Sequence, residues 1–579
     1  MQICRCPISF KQKDNRKQSA SRPKVAIDHQ LRTAVVRSVP HCLTRNTEAM
    51  STLCLAFVAI CIGTAAAAGD GYYRAAVVEY QPKWAQNVEP RQNLINNVNN
   101  TEQYIKKANE QQADIIVFPE GGLMASDDTI FLTVPNPSDK IAVENNTNYD
   151  EALRKLSGMA NKYQIYLVVN LHENYTDPST NITLKYNTNV VFDRKGVVVA
   201  RYRKFNLYGE NLNTTKEPEY SIFDTDFNVK FAQIICFDIL FKEPGLTMIR
   251  KNKIQNIIHS SMWFSELPFL MSVQEQWSWS TGNKVNLLAS GYNNIAAGSG
   301  GSGIYRGLSG LDPVYRFGDQ CGVDLMIVDV PIDDRRKIGN LGVFQSFEFT
   351  GQTKLPLLLE PNIETFASEI IPLQLNTSNG QSIGNYQYRN NQLCHTGVCC
   401  SFDAEITYDN SANTTAPMMI YRAVVFNGTR NFGVVPAQRG IQICGIISCV
   451  DESISSCGKL ERNSSFLTNS TFRTVTFNNI RIRGNFSQET QANVLPNVFL
   501  WPTAFRNYLL TSESYNWNRY DNGTAELYIS KPQQIITAGI HARVFSFGSG
   551  NGAMTMSTTF YNVLIPIAVI MFVLYGRRE

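Results

Sequence analysis

A single cysteine, Cys236, closes the apolar run in "QIICFDILFKEPGL" (233–246) and is followed two residues later by an acid. A thiol there can be core filler, half of a disulfide or a nucleophile. A thiolate that attacks carbonyl carbon needs a base to take its proton and a cation or N–H group to hold the oxyanion. Histidine is the familiar base, yet His172, His259, His395 and His541 sit in no protease-like signature. Two other strand ends offer partners. "IIVFPEGGL" puts Glu120 where an apolar run stops, between Pro119 and two glycines, and "ARYRKFNLYGE" puts Lys204 after the extended run "YNTNVVFDRKGVVVARY". A lone Glu or Lys in such a place is ordinarily a solvated turn residue, and a lone buried cysteine is ordinarily inert. What points to chemistry is the three together, on three separate connections of one domain.

The elements that must position them are legible as period and composition. "RAAVVEY" (74–80), "ADIIVFP" (113–119), "IYLVVNL" (165–171), "KFAQIICF" (230–237), "IQNIIHS" (254–260), "KVNLLAS" (284–290) and "DLMIVDV" (324–330) read as strands apolar on both faces. Helical spacing is expected over 93–113, 149–163 and 266–283. The alternation implies an α/β domain over 70–355 with its sheets covered by helices. Beyond "TKLPLLLEPN" (353–362) the strands become shorter and rich in Thr, Asn and Ser, as in "APMMIYRAVVF" and "FRTVTFNNIRIR", so 356–548 is expected to be a mostly β domain. Gly-rich "AAGSGGSGIY" (296–305) lacks the strand–turn–helix context of a nucleotide fingerprint and reads as a flexible loop.

The 579 residues are 43% hydrophobic and 18% charged, with a formal charge of +4, which suits a globular chain and excludes a nucleic-acid binder. Residues 1–49 are a basic leader ahead of "MSTLCLAFVAICIGTAAAAGDG", whose short apolar core and small residues read as a signal peptide over 50–69. Met50 is then the start, or the signal has a long basic extension; a mitochondrial presequence is the weaker rival. Asn-x-Ser/Thr sequons at Asn99, Asn145, Asn174, Asn181, Asn213, Asn376, Asn413, Asn427, Asn463, Asn469, Asn485 and Asn522 support a glycosylated extracellular protein. The end, 549–579, reads as a lipid-attachment signal: small residues with Ser549, Gly550 or Asn551 as the attachment point, a polar spacer, then an apolar tail too short to span a bilayer comfortably. The alternatives are a retained single-pass helix or a secreted soluble protein. Six cysteines, Cys394, Cys399, Cys400, Cys444, Cys449 and Cys457, suit three disulfides in the second domain, with a zinc site at "CHTGVCC" as the rival. Cys236 is left without an obvious partner, unless Cys321 pairs with it.

The residues Glu120 in "FPEGG", Lys204 in "RYRKFNLYGE" and Cys236 in "CFDILF" resemble the Glu–Lys–Cys triad of the nitrilase, or carbon–nitrogen hydrolase, superfamily. The words "YNTNVVF", "KFNLYGE", "CFDILFKEPG" and "GSGIY" resemble its vanin and biotinidase branch. This resemblance implies an α-β-β-α sandwich with a C-terminal β accessory domain. It implies that Cys236 attacks an amide carbonyl to form a thioester, that Glu120 moves the proton, and that Lys204 with the Phe237 backbone N–H holds the oxyanion. A cation beside Cys236 is expected to lower its pKa. Glu210 is expected to orient Lys204, Ser261 and Trp263 to wall the pocket, and Asp238 to cap the following helix rather than to react. No cofactor or metal is implied, and the oligomeric state is open. The implied partner is a small linear amide: pantetheine, cleaved to pantothenate and cysteamine, with biotinyl amides as the alternative. A catalytically silent surface binding protein on the same scaffold is the reading from a different class.

Overall fold

A computed structural model describes residues 71–545 except 125–129, 319, 335–342, 353–356, 373–382, 410–418, 434, 460–474, 487–497, 506–514, 521–522 and 532–533. The expected leader, the expected signal peptide and the candidate attachment residues Ser549, Gly550 and Asn551 lie outside the described residues.

Two sheets face each other in the first half of the chain. The first joins β1 (Tyr72–Glu79), β2 (Ile115–Val117), β3 (Tyr166–Thr176), β4 (Thr183–Phe192) and β5 (Val198–Arg203). The second begins with β6 (Ile222–Asp224), β7 (Lys230–Ile235) and β8 (Asn256–Ser261); β9 (Glu266–Leu267) stands apart, and β10 (Asn286–Gly291), β11 (Ser302–Arg306) and β12 (Leu311–Arg316) complete it. The chain then returns through β13 (Gln320–Pro331) and β14 (Val343–Gln352) to the first sheet, while β15 (Leu358–Leu359) pairs with β9. The strand orders are β14-β13-β1-β2-β3-β4-β5 and β12-β11-β10-β8-β7-β6.

The continuous apolar runs have a direct physical cause, because both faces of these strands are covered. In β1, Ala75 and Val77 point between the sheets with Ile258, Leu288 and Val328, while Ala76 and Val78 point outward against helices. Those helices are α1 (Pro90–Glu110) and α2 (Glu151–Lys162). In α1, Leu94, Val98, Thr101, Ile105 and Ala108 are buried at alternating spacings of four and three, one helical face, and Asp150 caps α2 by accepting from the Ala152 N–H at 2.8 Å. The third helix, α3 (Ser272–Asn283), covers the second sheet. It starts six residues later than its apolar spacing suggested, because Glu266–Leu267 are held as β9 and Pro268 disfavours helix in the residue before it. The glycine-rich stretch also departs from expectation: Ser302–Arg306 is a fully buried strand. Gly301 (φ +109) sits against Ser272, where a Cβ would overlap the hydroxyl.

The second domain is two five-stranded sheets. One contains β16 (Ala367–Ile370), β19 (Ile420–Phe432), β20 (Val435–Cys449), β25 (Thr537–Val544) and β22 (Val498–Phe505). The other contains β17 (Ile383–His395), β18 (Val398–Asp409), β21 (Thr476–Asn485), β24 (Thr524–Ile529) and β23 (Tyr515–Arg519). Disulfides join Cys394 to Cys399, Cys400 to Cys444 and Cys449 to Cys457, which takes the "CHTGVCC" thiols away from any zinc site. They suit an oxidising, extracellular setting. Cys321 is disulfide-bonded, and Cys236 is a free buried thiol, so the two are not joined. Asn99, Asn145, Asn181, Asn213 and Asn485 are exposed, and Asn174 and Asn427 are half-buried. Asn376, Asn413, Asn463, Asn469 and Asn522 lie outside the described residues.

The first of these sheets packs on α3. Gln274 donates to Thr503 Oγ1 at 2.7 Å, and Val424, Ile443 and Trp501 share one core with Trp279 and Leu287. Glu275 is sealed into this contact at 1% exposure. Burial pushes its pKa up to about 8, against the Trp501 indole and the Arg543 guanidinium, which favour its charge. A carboxyl whose pKa is raised by folding keeps its proton where the unfolded chain has lost it. Its contribution is therefore full below about pH 4.5 and is lost as pH rises through about 8, at ~1.4 kcal/mol per unit. Glu275→Gln is expected to melt a few degrees above the parent at pH 9 and level with it at pH 5, as read by calorimetry. An equal difference at both pH values would show that Glu275 carries no proton.

Candidate active site

Three turns, at the ends of β2, β5 and β7, bring Glu120, Lys204 and Cys236 together. The sheets supply rigid ends, and each turn is pinned by side chains. After β2, the Gly121 N–H donates to Asn170 Oδ1 at 2.8 Å, and Gly121 takes φ +65, open to glycine. After β5, the Lys204 N–H donates to the Asn187 carbonyl at 2.8 Å. After β7, Cys236 itself takes φ +45, a conformation uncommon for a residue with a Cβ. Asp238 holds that turn. Its carboxylate accepts from the Ile235 N–H at 3.0 Å, the Tyr202 hydroxyl at 2.7 Å, and the Asn206 N–H and amide at 2.9 and 2.8 Å. Asp238 is thus structural, as expected, but it braces the cysteine's own turn instead of capping the helix beyond it. Burial raises its pKa to about 6 against these donors, so it is ionised at neutral pH.

Glu120 is the hub. Its Oε1 accepts from Lys204 Nζ at 2.8 Å and from Asn187 Nδ2 at 2.7 Å, and its Oε2 accepts from the Met262 N–H at 2.8 Å. The Cys236 thiol is within hydrogen-bonding reach of the same carboxylate, and its Sγ lies 3.6 Å from the Met262 carbonyl. Asn170 donates to Asn187 Oδ1 at 2.7 Å and so fixes which way that amide points. Lys204 also donates to Glu210, whose other oxygen accepts from the Tyr208 N–H. The expected Glu210–Lys204 contact is present.

Burial works against charge on Glu120, but Lys204, Asn187 and the Cys236 thiol outweigh it and hold the carboxyl below its ordinary pKa. Burial also opposes charge on Lys204, yet Glu120 and Glu210 keep its pKa well above the ordinary value. The thiol differs from expectation. Burial and the Glu120 carboxylate push the Cys236 pKa far up, and Lys204 offsets only part of this. The lysine was expected to make a thiolate; because it is already engaged by two carboxylates, the resting cysteine is a thiol. Burial takes the pKa of His259 down to about 4, and its Nε2 lies 3.1 Å from the Cys236 carbonyl, so it holds backbone and not the thiol.

Cys236 opens into a slot walled by Phe237, Leu240, Met262, Trp263 and Leu270. Trp263 is therefore a wall residue, locked by its indole N–H to the Leu270 carbonyl at 3.0 Å. Ser261 is buried at the end of β8 and is not among the slot's lining residues. The Phe237 ring lines the slot, and its backbone belongs to the 3-10 turn Cys236–Leu240. Tyr208, Phe432 and Gly433 also line the slot. The last two come from the second domain. Sequence reasoning did not single out Asn170, Asn187, Met262, Phe432 or Gly433. The asparagines carried a signal, since an amide inside an apolar strand run must find buried partners; a backbone N–H and a wall from another domain carried none. Among the described residues no group of three or more His, Cys, Asp and Glu side chains is placed to hold a metal ion.

Comparison with known proteins adds two matches. Residues 74–281 match the carbon-nitrogen hydrolase family, and residues 360–547 match the vanin C-terminal domain. Vanin-like protein 1 of Drosophila melanogaster is 34% identical over 482 residues, 79% of this chain and 81% of its own. Biotinidase of Takifugu rubripes is 31% identical, covering 67% of this chain and 81% of its own. Pantetheinase of Canis lupus familiaris is 30% identical, covering 62% and 70%.

Proposed function

Because the chain belongs to the vanin-type carbon–nitrogen hydrolases, and is thereby a hydrolase of amide C–N bonds, we propose that it cleaves pantetheine through a thioester on Cys236. One observation carries the reading: a free, buried thiol in a strained turn, beside a carboxylate that Lys204, Asn187 and the Met262 N–H hold ionised.

Cys236 Sγ attacks the amide carbon as its proton passes to Glu120. The new oxyanion faces the Lys204 ammonium and the Phe237 N–H, charge placed before the reaction begins. Collapse expels cysteamine, whose nitrogen takes the proton from Glu120, and leaves pantothenoyl on the sulfur. Glu120, again ionised, draws a proton from water as the water adds to the thioester. Collapse of that second adduct returns the proton to Cys236 and releases pantothenate. The fixed lone thiol needs a base at every turnover, because burial keeps it protonated.

Biotinyl amides are the second reading, since the biotinidase match is of similar identity and coverage. The purified protein is expected to turn over pantetheine with kcat/KM at least tenfold above that for biotinyl-lysine, measured by release of amine. A reversed ratio favours the second reading. Hydrolysis of neither amide sinks both.

A further inference from the structure

The slot beside Cys236 is closed by a piece of the other domain, and the manner of its closure is specific. The β19–β20 hairpin brings Arg430, Phe432 and Gly433 to the first domain. Arg430, 1% exposed, donates from Nη1 and Nη2 to the two oxygens of Glu266 at 2.5 and 2.7 Å, and also donates to Glu360. Its guanidinium lies over the Phe432 ring at 4.3 Å, and that ring meets Phe237, the residue after the nucleophile, at 5.8 Å. One face of Phe237 is met by Tyr208 at 5.1 Å. Gly433 takes φ +52 directly against the Tyr208 hydroxyl, where a Cβ would overlap the oxygen. The hairpin is therefore clamped by a buried ion pair at one end and fitted to a slot-lining tyrosine at the other.

We infer that this hairpin is a specificity element: Arg430 positions Phe432 and Gly433 so that, with Tyr208, they set the width of the slot for a slender linear chain attached to the reacting amide. Fully buried ion pairs cost desolvation, and loss of one partner leaves the other charge buried and unpaired. Here the paired residues lie on both sides of the domain junction, and their immediate neighbour lines the slot. The inference rests on Cys236 being the nucleophile of the proposed reaction.

Alkylation of Cys236 by iodoacetamide and by N-hexyl iodoacetamide reads slot width without turnover. Gly433→Ala displaces Tyr208, so the N-hexyl to parent rate ratio is expected to fall about tenfold, with iodoacetamide itself within about threefold of the unchanged protein. Adding Tyr208→Ala to that variant should restore the ratio, which a merely destabilised fold would not do. Phe432→Ala, which needs no new space, should raise the ratio. An unchanged ratio in both Gly433→Ala and Phe432→Ala overturns the inference, as does failure of the Tyr208→Ala addition to restore it. A wild-type thiol inert to both reagents instead fails the proposed reaction itself, and a reactive thiol with an unaltered ratio fails only the hairpin's role.

Discussion

Cys236→Ala is expected to lose amide turnover by about five orders of magnitude, the scale on which removal of a catalytic nucleophile acts. Cys236 is the only free cysteine among the described residues, so no second thiol stands ready to replace it. The loss should come without unfolding. Removing one buried sulfur costs on the order of 1 kcal/mol in cavity, and the turn is held by Asp238 and its four donors, not by the thiol. Amine release and a melting curve, run on the same preparation, separate the two effects. Residual turnover above about 1% of the parent, with an intact melt, would remove Cys236 from the chemistry and place the nucleophile elsewhere.

Glu120→Gln should reduce kcat by roughly 10³- to 10⁴-fold, the upper range for loss of a positioned general base. The magnitude follows from the resting ionisation. The thiol is held protonated by burial and by the Glu120 charge, so an amide in place of the carboxylate leaves nothing adjacent to take its proton. The neutral amide also fits poorly. Glu120 accepts from three donors, Lys204, Asn187 and the Met262 N–H, and a glutamine must turn its own N–H groups toward one of them. The pH dependence has a definite sign. Folding lowers the Glu120 pKa, so its stabilisation is present above the unfolded value and is lost as pH falls through the folded one. The glutamine variant should therefore be less stable than the parent at pH 7, and the gap should close on acidification. A kcat within tenfold of the parent would show that the base lies elsewhere.

Much of the frame was legible along the chain. Runs such as Ala75–Val78 and Ile115–Val117 are apolar at every position because sheet and helix cover both faces, and that pattern survives in sequence order. Disulfide counting worked for the same local reason: six cysteines in one β domain pair within it, which set Cys236 apart. Other features were misread where a distant partner overrode a local preference. Gly301 and Ser302–Arg306 looked like loop, yet the glycine is there so that α3 can approach and the strand is buried beneath it.

The amino-acid sequence by itself determined the chemical types on hand, a thiol, a carboxylate and an ammonium at three strand ends, and the two kinds of domain that carry them. Only the tertiary structure decided that Glu120 meets Lys204 across 84 residues and the Met262 N–H across 142. It also decided that the cysteine rests as a thiol and that a hairpin from the second domain walls its slot. The reason is physical. Ionisation and shape in a buried site are set by what lies within a few ångströms in space, where the low dielectric magnifies every charge, and those neighbours are far apart along the chain.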